Sequence, residues 1–251
     1  VAEKIRADQL LADQGLVESR EQGKRLIMAG MVRMRTDSGL RPVAKPGQAL
    51  SRDVVLEVEA GKRFVSRGGE KLLTALEHFP IIVQGVVALD VGASTGGFTD
   101  CLLQHGAARV YCVDVGRGQL HWKLRQDPRV VNLEGVNFRQ AQPDLLPEPV
   151  DLVVVDCSFI SLRLILPSCL QFLKPGGEII ALVKPQFEVG PKAVVKGVVR
   201  DPALRDEALA DVIRFAEEEL GLLSLGSVPA KILGPKGNQE YLVLLRAFGT
   251  R

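Results

Sequence analysis

Apolar residues recur along this chain at two different spacings, and the change from one to the other divides it. Residues 3–14 place Ile5, Ala7, Leu10 and Leu11 at helical intervals ahead of Gly15. A second helical run through Leu26, Ile27 and Ala29 opens at a Ser19/Gln22 capping-box pair and stops at Gly30. Short alternating stretches at 31–35 and 54–59 predict strands, with a Lys45-Pro46-Gly47 turn between them. A polar, glycine-bearing stretch around Gly61 to Gly69 then predicts a linker over 62–69, separating a small α+β domain, 1–61, from a large one, 70–251.

From Val86 onward, apolar runs alternate with amphipathic ones. Strands are predicted at 86–91, 109–114, 130–134, 151–156, 178–184, 225–232 and 240–247, the fifth entered through a Lys174-to-Gly177 turn. Helices are predicted at 70–78, 97–105, 118–126, 161–173 and 202–220, the last opened by Asp201 and Pro202. Such alternation predicts an α/β fold with a doubly wound parallel sheet, whose ligands gather at the carboxyl ends of the strands.

At that rim the first strand runs into Asp90-Val91-Gly92-Ala93-Ser94-Thr95-Gly96-Gly97-Phe98, and the second ends on Asp114, 22 positions after Gly92. A glycine turn lets backbone approach a ligand, and a carboxylate on the next strand can accept both hydroxyl protons of a ribose. Ser94 stands where a dinucleotide fingerprint needs its second glycine, which favours adenosyl over pyrophosphate contact. The third and fourth strands lead to Asn137 and to Asp156, and the fifth ends on Lys184. Asp156 and Lys184 read either as a salt bridge between neighbouring strand ends or as chemistry beside a cofactor cleft.

Composition narrows the class. The 251 residues are rich in aliphatic and poor in aromatic side chains (5%), as strands buried on both faces require. Cys101, Cys112, Cys157 and Cys169 lack Cys-x-x-Cys spacing and the three histidines lack ligand spacing, so reduced core thiols, a cytoplasmic location and no metal are expected. No apolar run reaches the roughly 18 residues of a membrane helix, because Gln84-Gly85 interrupts the best candidate, and no secretory leader is evident. The net charge of +2 is uneven: Arg20 to Lys45 carries seven basic residues against two acidic, a footprint suited to a phosphate backbone or to a solvated face. Arg20, Lys24 and Arg25 share one side of the second helix, and Arg33 and Arg35 share one face of a strand.

Residues 3 to 61 resemble the small RNA-binding domain of the ribosomal-protein S-four type through Arg6, Asp8, Leu10, Leu11, Gly15, Leu16, Ser19, Arg20, Ile27, Gly30, Val32 and Pro46-Gly47. Together with Ser66-Arg67-Gly68-Gly69-Glu70-Lys71-Leu72, Leu89 to Asp100, Val155 to Ile160, Val183 to Gly190 and Gly237-Asn238-Gln239-Glu240-Tyr241, nearly the whole chain resembles the TlyA family of ribosomal RNA 2'-O-methyltransferases. The catalytic domain of that family is FtsJ-like, a Rossmann-like class I methyltransferase. The resemblance implies S-adenosylmethionine as cofactor, ribosomal RNA or a ribosomal subunit as partner, cytidine as target, and no membrane role. It carries a Lys-Asp-Lys-Glu catalytic tetrad onto Lys71, Asp156, Lys184 and Glu240. It implies cofactor contacts at Asp90, Gly92, Ser94, Gly96, Phe98, Asp114 and Asn137, the last where such enzymes more often carry an acid. RNA contacts are expected at Arg6, Arg20, Lys24, Arg25, Arg33 and Arg35.

A ribose 2'-hydroxyl is a poor nucleophile and the sulfonium methyl an activated electrophile, so the protein must chiefly orient the hydroxyl and manage its proton. Lys184 is the candidate, either as a neutral base or as an ammonium that stabilises the alkoxide. Lys192 and Lys196 either clamp RNA or sit on a solvated loop, and Trp122 either stacks a base or packs in a helix. The competing readings are a non-catalytic RNA-binding or ribosome-assembly factor, a small-molecule methylase and a direct haemolysin. The four charged positions disfavour the first, the N-terminal domain the second, and the lack of a lytic or secreted segment the third.

Overall fold

The computed structural model describes residues 4–58 and 63–248 and divides the chain into two compact units, 1–63 and 64–251. Glu3 of the expected first helix, Glu59 of the expected strand, and Gly61 and Lys62 around the expected linker lie outside the described residues.

The first unit runs β1 (Lys4–Arg6), α1 (Ala7–Asp13), α2 (Arg20–Met28), β2 (Val32–Thr36), β3 (Gly39–Pro42), β4 (Ala49–Ser51) and β5 (Leu56–Val58). Residues 4–6 are extended, where helical spacing predicted the first turn of a helix. Ile5 pairs with Leu50 of antiparallel β4, and the amides of Ala7 and Asp8 donate to the carbonyls of Gln48 and Pro46 at 2.9 and 3.1 Å. Strands β3 and β4 escape the pattern analysis because neither alternates: β3 is exposed throughout and β4 has three residues. At α2, Ser19 Oγ accepts from the Gln22 amide at 3.2 Å, while the Gln22 side chain accepts from the Glu18 amide at 2.9 Å. Leu10, Leu11, Ile27, Val32, Leu50 and Leu56 form the core.

The second unit comprises α3 (Gly68–His78), β6 (Val87–Val91), α4 (Gly97–Gln104), β7 (Arg109–Asp114), α5 (Trp122–Arg125), β8 (Val130–Glu134), β9 (Val150–Val155), α6 (Leu166–Leu170), β10 (Leu173–Val183), α7 (Pro185–Glu188), α8 (Pro202–Glu218), β11 (Leu222–Pro229) and β12 (Tyr241–Ala247). Phe64, in the stretch expected as linker, is buried in this unit's core. The sheet order is β11-β12-β10-β9-β6-β7-β8, doubly wound and parallel as expected except at β12, which is antiparallel to both neighbours. Alternate residues of each strand serve opposite faces. Ala88, Cys112, Val154 and Ile180 pack with Leu72 and Leu102 of α3 and α4, while Leu89, Val113, Val155 and Ile179 pack with Leu166 and Val212 of α6 and α8. The sheet is therefore covered on both sides.

Two expected helices are shorter than predicted. Only Trp122–Arg125 is helical within 118–126. The stretch 161–173 breaks into a single turn, Leu162–Leu164, and α6, because Pro167 lacks the N–H that a continuous helix would need there and fits instead at a helix start.

Candidate active site

The carboxyl rim is assembled from segments far apart in sequence. Asp156 follows β9 and Lys184 follows β10, two neighbouring parallel strands, so their side chains emerge side by side. Lys184 Nζ lies 2.7 Å from Asp156 Oδ1 and donates to Ser158 Oγ at 2.8 Å. Glu240 precedes β12, and Tyr241 pairs with Val183 at the end of β10. Because β12 is antiparallel, its amino end lies at the rim where β10 finishes. Glu240, 1% exposed, meets Lys71 of α3 at 2.6 Å. Two ion pairs thus stand at one edge of the sheet, and both lysines are less than a tenth exposed.

Beside them are two adjoining cavities. The smaller, about 230 Å³, is lined by Arg67, Lys71, Asp90, Phe98 and Asp156 among others; the larger, about 530 Å³, by Asp114, Gln119, Asn137, Ser158 and Phe159 among others. Gly92, Ser94 and Asp156 border both. Gly92 sits at φ +82°, and a Cβ there would come within 3.0 Å of the Asp156 carbonyl oxygen. The first glycine turn and the Asp156 loop therefore touch backbone to backbone, which no larger residue permits. Gly96 is not in either wall; it abuts Leu120 and Leu124 beneath the turn.

The family model for FtsJ-like methyltransferases matches residues 64–247, which contain the whole of this rim. The chain belongs to the FtsJ-like methyltransferase family. It is 48% identical to the 16S/23S rRNA (cytidine-2'-O)-methyltransferase TlyA of Mycobacterium tuberculosis over 98% of this chain and 91% of that protein. It is 39% identical to Hemolysin A of Brachyspira hyodysenteriae over 95% of this chain and 98% of the relative. A solved hemolysin-named structure from Streptococcus thermophilus, 44% identical, superposes with a TM-score of 0.73 over 99% of this chain and 90% of its own.

In this methyltransferase Asp90 is fully buried; its Oδ2 accepts from the Thr99 amide at 3.0 Å and the Thr99 hydroxyl at 2.6 Å, while Oδ1 has no hydrogen-bond partner. Burial pushes its carboxyl up to about 7, against the Thr99 hydrogen bonds and with help from the negative charges of Asp156 and Asp114. An orphaned acceptor at the wall of a cavity suits a ligand that brings a donor or a positive charge. Asp114 accepts from the Ser94 amide at 2.8 Å and the Gly116 amide at 2.7 Å, which holds the turn and leaves one lone pair on each oxygen for hydroxyl donors. Asn137 lies in the same wall as Asp114. The residues present thus fit an adenosyl ligand carrying a cationic end.

Sequence reasoning overlooked several rim residues. Ser158 holds Lys184, and its proximity to Asp156 was the available signal. Phe159 adopts φ +64°, is 90% exposed, and lies 5.2 Å from the Phe187 ring. Trp122 does not pack in a helix interface; it is 66% exposed and lies beside the His121 ring. Burial raises the Cys157 thiol to about 12, which favours the protonated thiol over the thiolate.

In the first unit, Arg6 and Arg20 both reach the buried Asp8, at 2.7 and 3.4 Å, and these hydrogen bonds hold its carboxyl below the usual range. Arg6 belongs to β1. Lys24 approaches Glu21 at 3.7 Å, Arg35 pairs with Glu57, and Arg33 and Arg35 alternate along β2 while Arg25 occupies the last turn of α2. At least four of the six expected RNA contacts, Arg6, Arg20, Lys24 and Arg35, therefore also bind acids of their own unit.

Proposed function

We propose that this enzyme transfers a methyl group from S-adenosylmethionine to a ribose 2'-hydroxyl of ribosomal RNA, with cytidine as the nucleoside. The single observation that carries the reading is the meeting of Lys71, Asp156, Lys184 and Glu240 as two ion pairs beside the adjoining cavities. The relatives' names supply the substrate class, and the strength of the likeness over both units supports carrying it to this chain.

Asp90, Gly92, Ser94, Phe98, Asp114 and Asn137 would hold the cofactor, with Gly96 fixing the turn from beneath. Bound there, S-adenosylmethionine supplies an electrophilic methyl on a sulfonium. Lys184 orients the 2'-hydroxyl: Asp156 Oδ1 and Ser158 Oγ fix its Nζ at 2.7 and 2.8 Å, and the third N–H, on a long 3.5 Å contact with the Asp156 carbonyl, can turn to the ribose oxygen and stabilise charge developing on it. Lys71 and Glu240 neutralise each other close by and shape the wall. The exposed Phe159 ring, set against the half-buried Phe187, offers an apolar surface for the nucleoside. The first unit, as an S-four-type module using Arg6, Arg20, Lys24, Arg25, Arg33 and Arg35, docks the enzyme on structured RNA, largely by shape and backbone charge.

Labelled methyl transfer to purified ribosomal subunits, followed by mapping of 2'-O-methyl positions, tests the reading. One modified cytidine in a subunit is expected. No incorporation into either subunit would favour a non-catalytic assembly factor.

A further inference from the structure

Between α7 and α8 the chain forms a small hairpin in which Val195 and Val198 exchange backbone hydrogen bonds of 2.9 and 3.0 Å, with Lys196 at φ +52° on its tip. The buried Asn238 grips it from the loop that precedes β12: Asn238 Oδ1 accepts from the Val199 amide at 3.0 Å, and its Nδ2 donates to the Gly197 carbonyl at 2.8 Å. Gly197 lies so close to Lys236 that a Cβ there would come 2.9 Å from that side chain's Cδ. The same loop turns on a Gly234–Asn238 hydrogen bond of 2.9 Å, lends Pro235 to the smaller cavity, and ends on Glu240.

The clasped pair of segments is strongly one-signed. Residues 189–200 and 231–238 contain Lys192, Lys196, Arg200, Lys231 and Lys236 and no acid. Lys231 is paired with Glu77 at 2.5 Å. Lys192, Lys196, Arg200 and Lys236 are exposed, and among the described residues none of them has an acidic partner. A solvated basic loop would have no need of a buried asparagine committing both ends of its amide to hold it, since burying an amide is favourable only when its groups are matched. We infer that this hairpin is a strap on the catalytic unit that binds the RNA phosphate backbone beside the target nucleotide, and that Asn238 is the positioning residue that ties it to the Glu240 loop.

The inference rests on the RNA reading above, and its test separates the two. Wild type and a Lys192→Gln/Lys196→Gln/Lys236→Gln variant, both full-length, are compared for binding to purified unmethylated ribosomal subunits across a salt series and for methyl transfer to them. The variant should raise KM at least about tenfold with kcat and cofactor affinity unchanged, and lower the slope of log affinity against log salt by about 2, the loss of three phosphate contacts. Asn238→Ala, with every lysine retained, should raise KM in the same direction at temperatures well below its Tm, an effect that fold stability alone would not give. An unchanged KM and salt slope in the lysine variant overturn the strap, and an unchanged KM in Asn238→Ala overturns the positioning role. Absence of transfer by wild type would instead defeat the proposed function, while the salt slope still reports on the strap.

Discussion

Lys71 Nζ lies 2.6 Å from Glu240 Oε2, joining the helix that leads into the second unit's sheet to the residue before its last strand. Both side chains are withdrawn from water, so removing one strands the other. Lys71→Ala or Glu240→Ala should each cost about 3–5 kcal/mol, whereas Lys71→Met/Glu240→Leu together should be nearly neutral. Urea denaturation reads the stabilities. All three variants should lose methyl transfer, because the double change restores packing and not charge.

Lys184 should be indispensable to chemistry and dispensable to cofactor binding. Lys184→Ala is expected to lower kcat by at least about a thousandfold while cofactor affinity, read by titration calorimetry, stays within about twofold. Lys184→Arg should not rescue it, because a planar guanidinium cannot occupy the position set by Asp156 and Ser158. Turnover near wild type in Lys184→Ala would remove Lys184 from the mechanism, and in Lys184→Arg would show that any cationic donor suffices at that place.

The buried Asp90 makes the cofactor-free fold pH-sensitive. Its carboxyl is raised from 3.8 to about 7, so between those values the folded chain retains a proton that the unfolded chain has released. Its contribution to stability is present below the lower value and is lost as pH rises toward 7. Asp90→Asn should flatten that decline in denaturation experiments run between about pH 4 and pH 7; an identical decline in the variant would assign it to other groups.

Gly92 keeps the first turn against the Asp156 loop. Gly92→Ala adds a left-handed backbone penalty of about 1–2 kcal/mol and a clash with the Asp156 carbonyl. Thermal unfolding should show a modest loss, and turnover should fall much further as Asp156 shifts away from Lys184.

Asp114 ties down the amides of Ser94 and Gly116 and faces the larger cavity. Asp114→Ala should weaken cofactor binding at least about tenfold, since the turn loosens and the acceptor for ribose hydroxyls disappears. Unchanged affinity would leave Asp114 a purely local brace.

Much of this was legible before any coordinates. Runs such as Leu152 to Val155 are buried on both faces, as strands inside a covered sheet require, and β7 and β8 fall at their expected bounds. The Asp90-to-Phe98 turn was readable from its glycines. Short or exposed elements were not: β3 carries no alternation, and β1 is extended through contacts with residues more than forty positions away.

The sequence alone determined which chemical groups this chain possesses and that its large unit alternates strand and helix, because periodicity and motif spacing are local properties. Their assembly was a tertiary decision. Glu240 precedes its strand, whereas Asp156 and Lys184 follow theirs, and in a wholly parallel sheet it would emerge at the opposite edge. Only the reversal of β12, fixed by its pairing with β10 and β11, turns that end toward the rim and brings Glu240 to Lys71.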